Sequence, residues 1–249
     1  MNNLSRESLD PKFDAYAEDY DAALAQGLSV TGESKEYFAR RRIEWLAARL
    51  QRDMPRRVLD FGCGTGSATP YFFDVMKIES LVGIDVSPRS LQVARQTFTP
   101  DDEASVQNSP SNPHSQPRAR FVLRDEYSCA GDLDLVFCNG VFHHIPPAER
   151  SEAVAFIWRA LRPGGWFALW ENNPWNPGTR LVMNRCPFDD DAQTIAPPQA
   201  RRLLRQGRFR IVRQDSLFLF PHALRRLRFI ESRLATWPLG AQYLVLGRK

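Results

Sequence analysis

No apolar run in this sequence approaches the roughly 20 residues that a membrane-spanning helix needs. The first ten residues, Met1 to Asp10, are polar and hold no apolar core, so no secretory signal is expected either. Cysteine is scarce: Cys63, Cys129, Cys138 and Cys186 are scattered, with no C-x-x-C pair and no His spacing typical of zinc. No disulfide framework and no metal centre are therefore expected, and the thiols are read as reduced in a cytoplasmic protein. Excess charge is also small. The net value is +4, with the surplus arginine gathered in the C-terminal fifth. A nucleic-acid enzyme usually carries a stronger basic stripe, so no nucleic-acid partner is expected. No internal repeat is present. The remaining composition, 43% hydrophobic and 25% charged over 249 residues, suits an ordinary soluble protein with one large α/β core and an appendage.

What is present is concentrated in one segment, Val58-Leu59-Asp60-Phe61-Gly62-Cys63-Gly64-Thr65-Gly66. An apolar run ends in an acid and opens into alternating glycines, the pattern of a buried strand feeding a tight turn. Such a turn before a helix presents N–H groups to an anionic or polar ligand. Dinucleotide dehydrogenases place a third glycine where this chain has Ser67, so their G-x-G-x-x-G spacing is not met. A second apolar strand, Ser80-Leu81-Val82-Gly83-Ile84-Asp85, also ends in a carboxylate, and Val86-Ser87-Pro88 opens a helix. Asp85 is placed to accept two ribose hydroxyls; the alternative is that it only caps the helix.

The G-x-G-x-G spacing with Asp60 two residues ahead resembles motif I of the class I S-adenosylmethionine (SAM) methyltransferases. The resemblance covers most of the chain from Arg56 onward and is nearest to the small-molecule branch that includes the ubiquinone and menaquinone C-methyltransferases. It implies a Rossmann-like α/β fold: a mostly parallel sheet with a reversed last strand and helices on both faces. It also implies SAM as cofactor, S-adenosylhomocysteine (SAH) as its product, and a metal-independent transfer to a small-molecule acceptor. Asp60, Gly62, Cys63, Gly64 and Gly66 fall in motif I, Asp85 is the ribose ligand, and Val86 lies against the adenine. Asp125 in Leu123-Arg124-Asp125 matches the acid placed at the adenine amino group, with Glu126 an equally placed rival.

Strand and helix alternate through the core, at Arg57–Phe61, Leu81–Asp85, Arg120–Leu123, Leu133–Cys138 and Trp166–Glu171, with helices between. Repeated βα units of this size imply a parallel sheet. Residues 1–52 are expected to form an N-terminal helical cap and residues 53–249 the methyltransferase core. Within the cap, Phe13, Tyr16, Tyr20 and Leu24 are spaced for one helix and Tyr37 to Leu50 for another. Arg40-Arg41-Arg42 reads as a solvated turn or as a source of one arginine for the site. Thr99 to Arg118 is polar and proline-containing, as in a dispensable surface insertion. Residues 172–198 are read as a substrate-side lid.

The fourth strand opens into Asn139-Gly140-Val141-Phe142-His143-His144, where the family commonly shows a His pair. In an open α/β sheet this position borders the ligand crevice. Asn139 and Gly140 are therefore assigned to the methionine part of the cofactor. Each histidine reads either as the base that deprotonates an acceptor or as a packed loop residue, and His144 takes the edge by family pattern. Asn172-Asn173-Pro174-Trp175 resembles the signature of enzymes that methylate base amines, but it follows the fifth strand and not the fourth. The acceptor pocket is instead expected from Glu171, Asn173, Trp175 and Arg180 together with Tyr16 and Tyr20 of the cap. The alternative is a lid held by asparagine turns. Leu217-Phe218-Leu219-Phe220 with Arg225, Arg226 and Arg228 allows peripheral membrane contact; a core strand with a solvated helix face is the commoner outcome. Oligomeric state is not legible.

Overall fold

A computed structural model describes residues 27–28, 31–98, 118–186, 190 and 192–249. The expected first helix with Tyr16 and Tyr20, and the proposed insertion apart from Arg118, lie outside the described residues.

The described chain opens with helix α1 (Lys35–Arg49), N-capped by the Ser34 hydroxyl, which accepts the Tyr37 N–H. Strand β1 (Arg57–Phe61) follows, then α2 (Thr69–Tyr71), which runs into a π-helical stretch at Phe72–Met76. Next come β2 (Ser80–Asp85), α3 (Pro88–Phe98), β3 (Arg118–Leu123), β4 (Leu133–Asn139), α4 (Arg150–Ala160) and β5 (Leu161–Asn172). The chain closes through α5 (Pro177–Met183), α6 (Pro197–Gln206), β6 (Arg210–Leu217), a 3-10 segment (His222–Ile230), α7 (Glu231–Leu234) and β7 (Gln242–Arg248).

The seven strands form one sheet in the order β3-β2-β1-β4-β5-β7-β6. Pairings from β3 to β5 are parallel, and β7 runs antiparallel between β5 and β6. The reversed last strand thus forms as the resemblance implied. Strands are longer than the apolar runs that announced them. β5 begins at Leu161, where α4 ends, and β6 extends to Leu217 because pairing with β7 recruits its polar residues as well.

Alternate residues of each strand enter opposite cores, as a strand period of two requires. Val58, Phe137, Trp170 and Leu244 pack on one face with Ile43 and Leu46 of α1 and Leu91 of α3. Leu59, Val136, Phe167 and Tyr243 pack on the other with Val154 of α4 and Leu204 of α6. Helix α1 thus packs into the core on this face of the sheet. Trp45 Nε1 and Arg49 Nε both donate at 2.9 Å to the fully buried Asp215 of β6, which fixes α1 across the sheet.

Candidate active site

Strand register brings the C-terminal ends of β1 to β5 to one edge: Phe61 lies opposite Ile84 and Cys138, Asp85 opposite Leu123, and Asn139 opposite Trp170. The glycine loop leaves β1 there, with Gly62, Gly64 and Gly66 at φ of +74°, +52° and +78°. These three residues do different things. A Cβ on Gly62 would lie 2.3 Å from Val141 Cγ2, and one on Gly66 2.8 Å from Phe98 Cε2, so both positions serve close packing. A Cβ on Gly64 would meet nothing within 4 Å. The space over Gly64 is open to a ligand.

Most of the loop's N–H groups are used internally. Gly62 and Cys63 donate to Ile84 O at 2.8 and 3.0 Å, Gly64 to Asp85 Oδ2 at 2.8 Å, and Gly66 to Cys63 O at 2.9 Å. Thr65 and Ser67, which the sequence reading did not single out, are the loop residues that line the adjoining cavity. The Cys63 thiol faces inward, where a Cβ on Gly83 would stand 2.8 Å from its sulfur; burial pushes its pKa well up.

Asp60 is 3% exposed. Burial raises its pKa to about 7, nearby Asp85 adds to this, and Arg42 partly offsets it. On the neighbouring strand the Asn139 Oδ1 atom is buried without a partner, and Asn139 lines the cavity.

The cavity, of about 440 Å³, extends from Thr65, Asn139 and Gly140 to an apolar wall that includes Phe38, Met183, Phe218 and Phe220. His143 lies on its border and is 3% exposed. Its Nδ1 is 2.6 Å from Oε2 of Glu171, and the other carboxylate oxygen accepts the Val141 and Phe142 N–H groups at 3.1 and 2.8 Å. Ionised Glu171 has only acceptor atoms, so Nδ1 carries the proton and Nε2 becomes the basic nitrogen. The ring of His144 packs against it at a tilt of 49°, with centroids 4.1 Å apart. Arg150, which sequence reasoning passed over, holds this loop from behind: its Nε donates to Ile145 O at 2.9 Å and its Nη2 to Gln193 O at 2.5 Å.

A family model of a methyltransferase domain matches residues 59–167, the span from β1 to β5 that carries this geometry. Over that span the chain is similar to a methyltransferase domain. It is 26% identical to a trans-aconitate 2-methyltransferase of Azoarcus sp. over 57% of this chain and 49% of that protein. It is 28% identical to a ubiquinone biosynthesis O-methyltransferase of Bordetella avium over 48% of this chain and 41% of that one. The chain spans about half the length of the curated relatives it matches. A SAM-dependent methyltransferase from Archaeoglobus fulgidus shares the fold at a TM-score of 0.52 and 18% identity, covering 83% of this chain and 94% of that one.

The residues of this site fit SAM. That molecule is a cation with an amino group, and the site offers the buried carboxyl of Asp60 and the unpartnered Oδ1 of Asn139 beside the open space at Gly64. Asp85 accepts from Gly64 N–H through Oδ2 and from Ser87 N–H through Oδ1, so it shapes the loop and the turn into α3, while the cap itself is Ser87, whose Oγ accepts the Ser90 N–H at 3.1 Å. Val86 is 38% exposed on the same edge. Asp125 and Glu126 share a single 3-10 turn and are both exposed, so the geometry does not separate them.

On the acceptor side the structure rearranges the expected set. Glu171 is fully buried and acts on His143 from below the cavity. Asn173 is fully buried as well, its amide spent on Pro238 O and Gly240 O at 3.0 and 2.8 Å while Oδ1 accepts the Trp175 N–H. Asn176 N-caps α5. These are asparagine turns holding a segment in place. Trp175 and Arg180 point to solvent and do not line the cavity, while Thr179, Leu181, Val182 and Met183 of α5 do. Of the arginine triplet, Arg40 and Arg41 pair with Glu44, and Arg42 turns inward to the cavity, its Nε donating to Gln242 Oε1 at 2.8 Å. Burial spacing along α1, with Phe38, Ala39, Ile43 and Leu46 inward, was the sequence signal for choosing Arg42.

Proposed function

We propose that this protein transfers a methyl group from SAM to a small-molecule acceptor that carries a hydroxyl on an apolar body, without a metal. The observation that carries this reading is the position of the His143–Glu171 pair at one cavity with the glycine loop and Asn139. A bound SAM supplies an already activated methyl group, so alignment and exclusion of water are the main tasks left to the protein. Asp60 and Asn139 hold the donor groups of the cofactor, and Asp85 holds the ribose. Glu171 keeps the Nδ1 proton of His143 in place, so that Nε2 takes the proton of the acceptor hydroxyl as its oxygen becomes nucleophilic. His144 packs against that ring and is assigned no proton transfer.

A carboxylate acceptor, such as the name of the trans-aconitate relatives suggests for them, is already ionised at neutral pH and needs no base. The buried pair and the aromatic wall favour a hydroxylated apolar acceptor instead, nearer to what the ubiquinone relative's name suggests. A cytoplasmic location accords with this reading: no helix among the described residues is long and apolar enough to cross a membrane.

Calorimetry is expected to show binding of SAH and none of NAD; NAD binding without SAH would overturn the family's cofactor for this chain. Methyl-labelled SAM incubated with the protein and a metabolite extract should yield label in base-stable ethers. Label released by mild base as methanol would mean a carboxylate acceptor.

A further inference from the structure

The segment after β6 is displayed outward in an unusual way. Of the ten most exposed large apolar side chains among the described residues, five belong to it: Leu224, Leu227, Phe229, Trp237 and Leu239. Phe229 is 75% exposed, Trp237 57% and Leu239 55%. A sixth, Trp175 at 52%, is brought alongside by Asn173 and Asn176, whose amides donate to the carbonyls of Pro238, Gly240 and Leu239. Single exposed apolar residues are ordinary, but a linked set is not.

The segment is not loose. Glu231, 2% exposed, accepts the Leu219 N–H at 2.7 Å, and Ala235 O accepts the Ser216 N–H at 2.6 Å. These two anchors fix it to the end of β6. The 3-10 segment is kinked at Leu224; beyond the kink a period of three puts Leu227 and Ile230 in one row, Arg225 and Arg228 in a second, and Arg226 and Phe229 in a third. Arg225, Arg226 and Arg233 are exposed, and Glu231, the single acid between Pro221 and Leu239, is buried. Pro221 and Arg228 also line the cavity, so this surface continues into its wall.

We infer that this surface docks on an anionic phospholipid bilayer. Exposed Trp, Phe and Leu side chains enter the region between headgroups and acyl chains, and arginines flanking them reach the lipid phosphates. The charge is of one sign at the surface, as attraction to an acidic leaflet requires. Such docking brings the cavity wall to the membrane, where an apolar acceptor would be concentrated. The inference concerns binding alone and does not depend on methyl transfer.

The test is flotation of the full chain with vesicles of phosphatidylcholine alone or with about one third phosphatidylglycerol. Binding is expected to the mixed vesicles only and should weaken as salt is raised. Phe229→Glu, and separately the double change Arg225→Glu with Arg226→Glu, should each weaken it roughly tenfold or more. Val212→Glu, at an apolar position 45% exposed toward the far end of β6, should leave it unchanged. Melting temperature and SAH affinity are measured for every variant, so that loss of fold is distinguished from loss of docking. Equal binding to both vesicle types, no binding to either, or binding that survives the Phe229 and arginine changes overturns the inference. So does a dimer that depends on Phe229 in the absence of vesicle binding, because the patch is then an interface between copies.

Discussion

The two ends of the crevice are built differently. At the cofactor end, the loop after β1 and the tips of β2 and β4 carry their chemistry within a few residues of each strand, and parallel register sets them side by side. At the acceptor end, His143 depends on Glu171 of β5, and the wall comes from α1, α5 and the chain after β6. The first region is made of local segments placed by the sheet. The second exists only where distant segments meet, so side chains adjacent in sequence, such as Glu171 and Asn172, end on opposite sides of its surface.

That contrast breaks most sharply at Glu171. Replacing it with Gln keeps the shape but presents an amide N–H to His143 Nδ1, which moves the ring proton to Nε2. Turnover is expected to fall roughly 10²- to 10⁴-fold, while SAH affinity changes little. The loss should shrink with acceptors acidic enough to be ionised at the assay pH. A variant with unchanged turnover would remove His143 as the base.

The glycine loop offers the next largest effect. Gly62→Ala meets Val141 at 2.3 Å with φ at +74°, and should lose about 2–4 kcal/mol of stability. Gly64→Ala, with open space around it, should lose only about 1–2 kcal/mol through its left-handed backbone, yet weaken SAH binding more than its neighbour does. Denaturant melts and calorimetry on the pair decide this. Equal losses of affinity would mean that the space over Gly64 is not the cofactor's.

Asp60 sharpens the comparison through pH. Its folded pKa of about 7 lies above the ordinary 3.8, so the folded state holds more protons between those values. Stability therefore falls as pH rises from about 4 to about 7 and then levels. A bound cationic group opposes this and lowers the pKa, so SAH affinity should rise with pH up to about 7, by at most about tenfold per unit, and then level. Asp60→Asn should flatten both curves. Affinity that is independent of pH in the unaltered protein would place the ligand's cationic group elsewhere.

The smallest effect is expected at Arg180. It is exposed and outside the cavity lining, so Arg180→Ala should leave turnover within about twofold and stability within about 0.5 kcal/mol. A large fall in turnover would bring the acceptor across α5 to the solvent side.

Legibility divides along the same line. The motif I glycines, Asp60 and Asp85 could be read because a strand, its terminal acid and a turn are consecutive, and a local pattern reports local geometry. The His pair was visible too, but the choice between its members was not. Family pattern favoured His144, whereas the residue held by a hydrogen bond to Glu171 is His143, the one on which the proposed function rests. Asn173 shows the opposite error: a polar residue at a strand end suggested a ligand, and two carbonyls some 65 residues onward had already claimed its amide. Arg225, Arg226 and Arg228 were expected either on a solvated helix face or against a membrane. Arg225 and Arg226 are exposed, and Leu224, Leu227, Phe229 and Trp237 stand outside with them.

What the sequence determined by itself is the βα alternation, the glycine loop and the carboxylates at the strand tips, because each is fixed by backbone sterics and apolar periodicity over a few residues. What only the tertiary structure decided is which histidine is held, which arginine turns inward and which apolar side chains stay in solvent. Those outcomes depend on what another part of the chain places opposite each residue, and pairing between β5, β7 and α1 joins segments as much as 200 residues apart.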